Sequence, residues 1–248
     1  EELSDVLFYL LRLADVCKID LGVAAGRKLL RNQEKYPVSK SSDDLGEEAA
    51  ATTTTGQVAE PAMAQPGGWD REITLESLKG GIRGFAEERG WHKFQTPRNL
   101  LLALVGEVGE VSEIFQWKGD VDNDLTGFSQ EERTHLGEEL SDVLFYLLRL
   151  ADVCKIDLGV AAGRKLLRNQ EKYPVSKSSD DLGEEAAATT TTGQVAEPAM
   201  AQPGGWDREI TLESLKGGIR GFAEERGWHK FQTPRNLLLA LVGEVGEV

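Results

Sequence analysis

Apolar residues recur at intervals of three and four along four stretches of this chain, the period of helices with one buried face. The first stripe is Leu75, Leu78, Ile82 and Phe85, entered at Thr74, whose hydroxyl can accept from an unpaired N–H of the first turn. The second starts at Thr96-Pro97 and runs to about Trp117. A cap residue followed by proline at the first helical position is a start signal, because the N–H that proline lacks has no helical partner there. The third opens with Ser129-Gln-Glu-Glu132, a capping-box sequence, and continues to about Cys154. The fourth follows Asp157 and must stop before Tyr173-Pro174, since proline disfavours helical geometry in the residue before it. Strand-like alternation is absent. The pattern predicts an all-α fold made of four-helix units.

The same text occurs nearly twice. Of 248 residues, 1–111 recur letter for letter as 138–248, and only 112–137 stand once. The offset is too long for a solenoid and marks a duplicated domain. A recent duplication, an engineered tandem or a concatenated reading frame would each produce it. Residues 1–37 then carry the third and fourth helices of a split copy, 70–174 a complete unit, and 207–248 the first helix and the start of the second. The stretches 38–69 and 175–206 are rich in Ser, Thr, Asp and Gly and poor in bulky apolar side chains, the composition of a disordered linker. A coil of that length spans roughly 30 Å. That reach lets the two copies pack as a pseudo-dimeric helical bundle within one chain, with or without further homo-oligomerisation.

Charge and composition narrow the classes. A formal net charge of −14 argues against a nucleic-acid binder, which needs a basic face to displace counterions from phosphates. The longest apolar runs are far too short to cross a bilayer. Cys17 and Cys154 are one position in two copies, so there is no disulfide framework; each is expected to be a buried structural thiol of a cytoplasmic protein.

The chemistry stands out as carboxylates in the wrong place. Along Leu100, Leu104, Glu107, Val111 and Ile114 the second stripe admits a glutamate, with Glu110 one turn on. The third stripe does the same with Glu139 and Asp142, on a face continued by Tyr146. Four carboxylates on facing helices cannot all stay ionised in a dry interior without positive charge. Oxygen-only ligands select hard divalent cations, Mg²⁺ first and Mn²⁺ second. The split copy carries the same set as Glu244, Glu247, Glu2 and Asp5. Gly106 and Gly109 flank the first pair and point either to close approach by a ligand or to tight helix packing. A carboxylate-bridged di-iron centre is the rival, but it requires Glu-x-x-His, and the one nearby histidine, His135, precedes Glu139 instead.

The spacing Glu107-x-x-Glu110, then Glu139-x-x-Asp142, resembles the ExxE…ExxD signature of the MazG-like all-α nucleoside triphosphate pyrophosphatases. The flanking text, Pro97 to Glu110, Ile114-Phe-Gln-Trp-Lys118 and Glu138 to Tyr146, resembles the dCTP pyrophosphatase branch of that family, over about residues 74–174. The resemblance implies hydrolysis of dCTP, or of a related or modified pyrimidine deoxynucleotide, to its monophosphate and pyrophosphate. It implies that Glu107, Glu110, Glu139 and Asp142 are catalytic and hold Mg²⁺. It further implies that Trp91 and Trp117 flank the base, that Tyr146 meets the sugar, and that Lys165, Asn169 and Tyr173 face the phosphates. Where mammalian relatives carry a histidine on the first helix, this chain has Ile82. The split copy lacks its own version of 112–137, so its site is expected to be weaker or dead. The competing expectation is a tandem helical scaffold that binds metal without turnover.

Overall fold

The computed structural model describes residues 1–38, 69–175 and 206–248. Within them lie eight α-helices: α1 (Glu2–Val16), α2 (Leu21–Lys35), α3 (Leu75–Glu88), α4 (Pro97–Gln116), α5 (Gln130–Val153), α6 (Leu158–Lys172), α7 (Leu212–Glu225) and α8 (Pro234–Glu247). Short 3₁₀ turns at Trp91–Phe94 and Trp228–Phe231 precede α4 and α8. The all-α class holds. The expected linkers lie outside the described residues except at their ends.

Every α-helix but α1 begins at a residue whose side chain caps it. The Thr74 hydroxyl accepts from the Ser77 N–H while the Ser77 hydroxyl takes the Thr74 N–H. Thr96 caps α4 with Pro97 in its first turn, Ser129 and Glu132 close a capping box on α5, and Asp157 accepts from the Val160 N–H. Such caps satisfy donors that the helix itself cannot.

The predicted stripes form one continuous core containing Leu78, Ile82, Leu100, Leu104, Val111, Leu140 and Leu144, and it extends through both copies. Ile82 is therefore a core residue. Packing is reciprocal. α4 lies on α5 as α8 lies on α1, α2 lies on α5 as α6 lies on α1, and α3 lies on α5 as α7 lies on α1. The turn after α5 is made by Lys155 in left-handed backbone, φ 60°, with the Ile156 N–H donating to Ala151 O. Lys18 repeats it after α1, φ 57°. Beyond these turns α6 packs on α1 and α7, and α2 packs on α5 and α3. The fourth helix of each copy thus packs on the third helix of the other.

Two tryptophans assigned to the linkers also prove to be structural. Trp69 and Trp206 are each 8% exposed. Trp206 lies under the buried Lys79 ammonium, 4.9 Å from the ring centre, and Trp69 lies under Lys216 at 4.8 Å. Between them, Thr74 and Thr211 form an antiparallel bridge in which the Leu75 N–H donates to Ile210 O and the Leu212 N–H to Ile73 O.

Buried charge is paired across the same elements. Asp152 is met by Arg149 from its own helix and by Arg83 from α3, and Asp15 by Arg12 and Arg220. Removing one member of a buried pair strands the other, at a cost of about 3–5 kcal/mol. Asp152→Ala is accordingly expected to lower the thermal midpoint by about 10 °C, and Arg83→Ala by less than half as much, since Arg149 still pairs. Equal losses in the two variants, read by calorimetry, would contradict this account.

Candidate active site

Packing of α4 on α5 brings the acidic pairs together. One oxygen each of Glu107, Glu139 and Asp142 lie within 4.8 Å of one another, a separation that a single cation can bridge. Glu110 is exposed and stands outside this trio, but close enough for its charge to raise the pKa of both Glu107 and Glu139. Lys28, on α2, places Nζ 2.5 Å from Asp142 Oδ2, and Arg31 one turn on pairs with Glu138. His135 Nδ1 is 3.3 Å from Glu139 Oε1 at the exposed rim.

The cluster is electrostatically uncomfortable. Burial, and then the charges of Asp142 and Glu139, push the Glu107 carboxyl up to about 7 against the opposing pull of Lys28. Burial raises Glu139 and Asp142 as well, again with Lys28 opposing. Lys28 is itself partly desolvated, but its bond to Asp142 outweighs that and holds its pKa above the ordinary lysine value. Tyr146 sits beside the carboxylates: burial, then Glu107 and Asp142, raise its phenol.

An aromatic cluster adjoins Tyr146 through Tyr36. Trp91 meets Phe85 and Tyr36 edge-to-face at ring separations of 5.4 and 5.2 Å. Trp117 lies apart from these rings, 86% exposed at the C-terminal end of α4. Gly106 and Gly109 have open space where a Cβ would point, so tight helix packing does not explain them.

A second cluster stands at α1 and α8, with Glu247, the copy of Glu110, in place of Asp5, the copy of Asp142. Oxygens of Glu2, Glu244 and Glu247 lie within 4.8 Å of one another, and burial followed by Asp5, Glu247 and Glu2 raises Glu244. Asp5 is held by Lys165 at 2.6 Å, and Lys165 also reaches Glu1 at 3.2 Å. Tyr173 stacks edge-on against Trp228 at 5.2 Å, and Asn169 is half-buried one turn before it on α6. The structure therefore gathers Glu107, Glu139, Asp142, Tyr146 and Trp91, with Glu110 at the rim. It sends Lys165 and Tyr173 to the other cluster and leaves Trp117 outside. Lys28, Arg31 and Tyr36 stand beside the first cluster instead. Their residue types were visible as the copies of Lys165, Arg168 and Tyr173, but an exact repeat contains no signal for which copy docks where.

Comparison with known proteins fits this geometry. Residues 95–176, which span α4, α5 and α6, match the MazG nucleotide pyrophosphohydrolase domain. The chain is 41% identical over 174 residues to dCTP pyrophosphatase 1 of Bos taurus, covering 67% of this chain and 98% of that protein. The Mus musculus protein of the same name is 48% identical over 125 residues, 50% of this chain and 73% of the relative. The Homo sapiens one is 52% identical over 103 residues, 42% and 61% respectively. Fold, carboxylate cluster and relatives together define a nucleoside triphosphate pyrophosphohydrolase. The chain belongs to the MazG nucleotide pyrophosphohydrolase family.

The elevated Glu107 pKa has a consequence for stability. Its folded value, about 7, lies above the ordinary 4.5, so the native state holds this proton more tightly than the unfolded chain does. That contribution is full below about pH 4.5 and is lost as pH rises through about 7. In a metal-free buffer, Glu107→Gln is expected to raise the thermal midpoint at pH 8 by about 2–4 °C and to leave it unchanged at pH 4.5. A variant that follows the parent at both pH values would show that Glu107 carries no such strain.

Proposed function

We propose that this protein hydrolyses dCTP, or a closely related pyrimidine deoxynucleoside triphosphate, to its monophosphate and pyrophosphate with the help of Mg²⁺. The observation that carries this reading is the trio Glu107, Glu139 and Asp142, within 4.8 Å of one another, with Lys28 beside it. An all-oxygen donor set suits Mg²⁺, with Mn²⁺ as the next choice, and a cation would relieve the crowding that pushes Glu107 up. Glu110 at the rim completes the ligand set. When bound, the metal supplies charge neutralisation of the triphosphate and polarisation of the α-phosphorus.

The protein's own groups do the rest. Lys28 exchanges part of its bond to Asp142 for a triphosphate oxygen, as a compact point charge can. The Trp91–Tyr36 wall offers a flat face to the base. Tyr146 presents its hydroxyl to the sugar. A water oxygen attacks the α-phosphorus, the bond to the bridging oxygen breaks, and pyrophosphate leaves with that electron pair. A carboxylate at the rim, Glu110, Glu113 or Glu138, accepts the water's proton. Catalysis here is chiefly positioning and charge stabilisation.

The α1–α8 cluster, with Lys165, Asn169, Tyr173 and Trp228, is the second and weaker site, since Asp5, the copy of Asp142, stands outside its trio of oxygens. On this reading the two halves act as a pseudo-dimer in which each lends its fourth helix to the other's pocket, and higher oligomers build on that unit.

The test is release of pyrophosphate from canonical and 5-substituted deoxynucleoside triphosphates with added Mg²⁺. Glu139→Gln is expected to remove about nine-tenths of turnover or more, as loss of a ligand should cost at least the 10–100-fold seen for its supporting shell. Glu244→Gln should leave most of it. No release from any triphosphate would reject the enzyme and favour a metal-binding scaffold. The exchange of helices has a separate check. Lys28→Ala should lower turnover at least about tenfold and Lys165→Ala by less than twofold; the opposite ranking would place Lys165 at the stronger site.

A further inference from the structure

The turn from α1 to α2, the length of α2 to Arg31 and the start of α5 enclose a cavity of about 570 Å³. None of Glu107, Glu139, Asp142, Tyr146 and Trp91 lines it. Its link to the first carboxylate cluster is Lys28, which borders the cavity and pairs with Asp142. The lining is cationic, although the chain as a whole carries a formal net charge of −14. Lys18, Arg27, Lys28, Arg31 and Arg133 stand there against two carboxylates, Asp20 and Glu138.

Both carboxylates are already engaged. Asp20 accepts from the backbone N–H groups of Val23 and Asp70, at 3.0 and 2.7 Å, and Glu138 pairs with Arg31. Arg133 is held differently, its guanidinium donating to the carbonyl oxygens of Asp124 and Leu125, each at 2.7 Å. Carbonyls fix its position without cancelling its charge. Lys18 enters from the left-handed turn after α1. The remaining wall is apolar, with Cys17, Ile19, Val23 and Ala24. Cys17 is buried in it as expected, whereas its twin Cys154 is exposed, which corrects the expectation for that copy. Gly137 on α5 keeps the space open: a Cβ there would already touch Ala24 Cβ and Ile19 Cγ2, both at 3.5 Å.

Fixed cations beside an apolar wall recognise a phosphate group carried on an organic body. Arginine forks match phosphate oxygens in pairs, and a concave low-dielectric wall concentrates the field of such charges. The volume falls within the roughly 300–1,000 Å³ of small-molecule sites. We propose that this cavity binds a phosphomonoester of nucleotide size, its phosphate among Lys18, Arg31 and Arg133 and its organic body against Ile19, Val23 and Ala24. The site is separate from the one proposed for the triphosphate and needs no divalent metal.

The experiment measures binding to the full chain by titration calorimetry with a metal chelator present. Under that condition the carboxylate trio repels phosphate groups, and the cavity remains as the attracting site. The probes are adenosine 5′-monophosphate, inorganic phosphate and adenosine. The monophosphate is expected to bind with a dissociation constant of about 1 mM or tighter, and each of the other two about tenfold more weakly. Gly137→Leu, which fills the cavity, and Lys18→Asn, which removes a charge and tolerates left-handed backbone, should each weaken the monophosphate about tenfold. An unchanged thermal midpoint for Lys18→Asn separates that loss from unfolding. Absence of monophosphate binding, or binding that both variants leave unchanged, would overturn the proposal. Adenosine binding as tightly as its monophosphate would also overturn it, because the cations would then play no part. Equal binding by inorganic phosphate would do the same for the apolar wall. No turnover is read, so this site and the enzymatic reading fail separately.

Discussion

A carboxylate taken out of water must find a cation or a proton, and the way this chain meets that demand shapes everything else in the bundle. Asp142 in the first cluster and Asp5 beside the second are met by Lys28 and Lys165. In each case the lysine arrives on a helix from the other half. Asp152 and Asp15, at the far end of the same two helices, are met by Arg83 and Arg220 from α3 and α7. These pairs make the central helices α5 and α1 hubs on which all the others converge. Where cations run short, protons fill in, and the carboxyl of Glu107 shows it. On the proposed function, that unmatched negative charge is what a bound divalent metal would offset.

That dependence makes the two halves inseparable. The fourth helix of each copy leaves its own third helix at a left-handed lysine and packs across the molecule, bringing a lysine and a tyrosine to the opposite cluster. The entrances to α3 and α7 are stitched by the Thr74–Thr211 bridge, with Trp69 and Trp206 laid under lysines of the opposite helix.

Much of this was legible in one dimension. Caps at Thr74, Thr96, Ser129 and Asp157 fixed where helices start, because a capping side chain bonds to backbone only two or three residues away. The apolar stripes identified the buried faces, since helical period is a local property. Carboxylates embedded in those stripes marked the cluster, and the text around them marked the family. Trp69 and Trp206 were misplaced because their partners are more than a hundred residues away, and low-complexity neighbours masked them. Cys154 was misplaced because burial belongs to whatever lies on top of a residue.

Sequence alone determined the helices, their inward faces, the chemistry of the acidic pairs and the duplication. Only the tertiary structure decided which copy of Lys28 and Lys165 serves which cluster, and which of Cys17 and Cys154 is covered. The physical reason is symmetry. Two identical segments have identical propensities, caps and stripes, so nothing local can tell them apart. They become different only through contacts with segments far along the chain, and those contacts exist only once the bundle has closed.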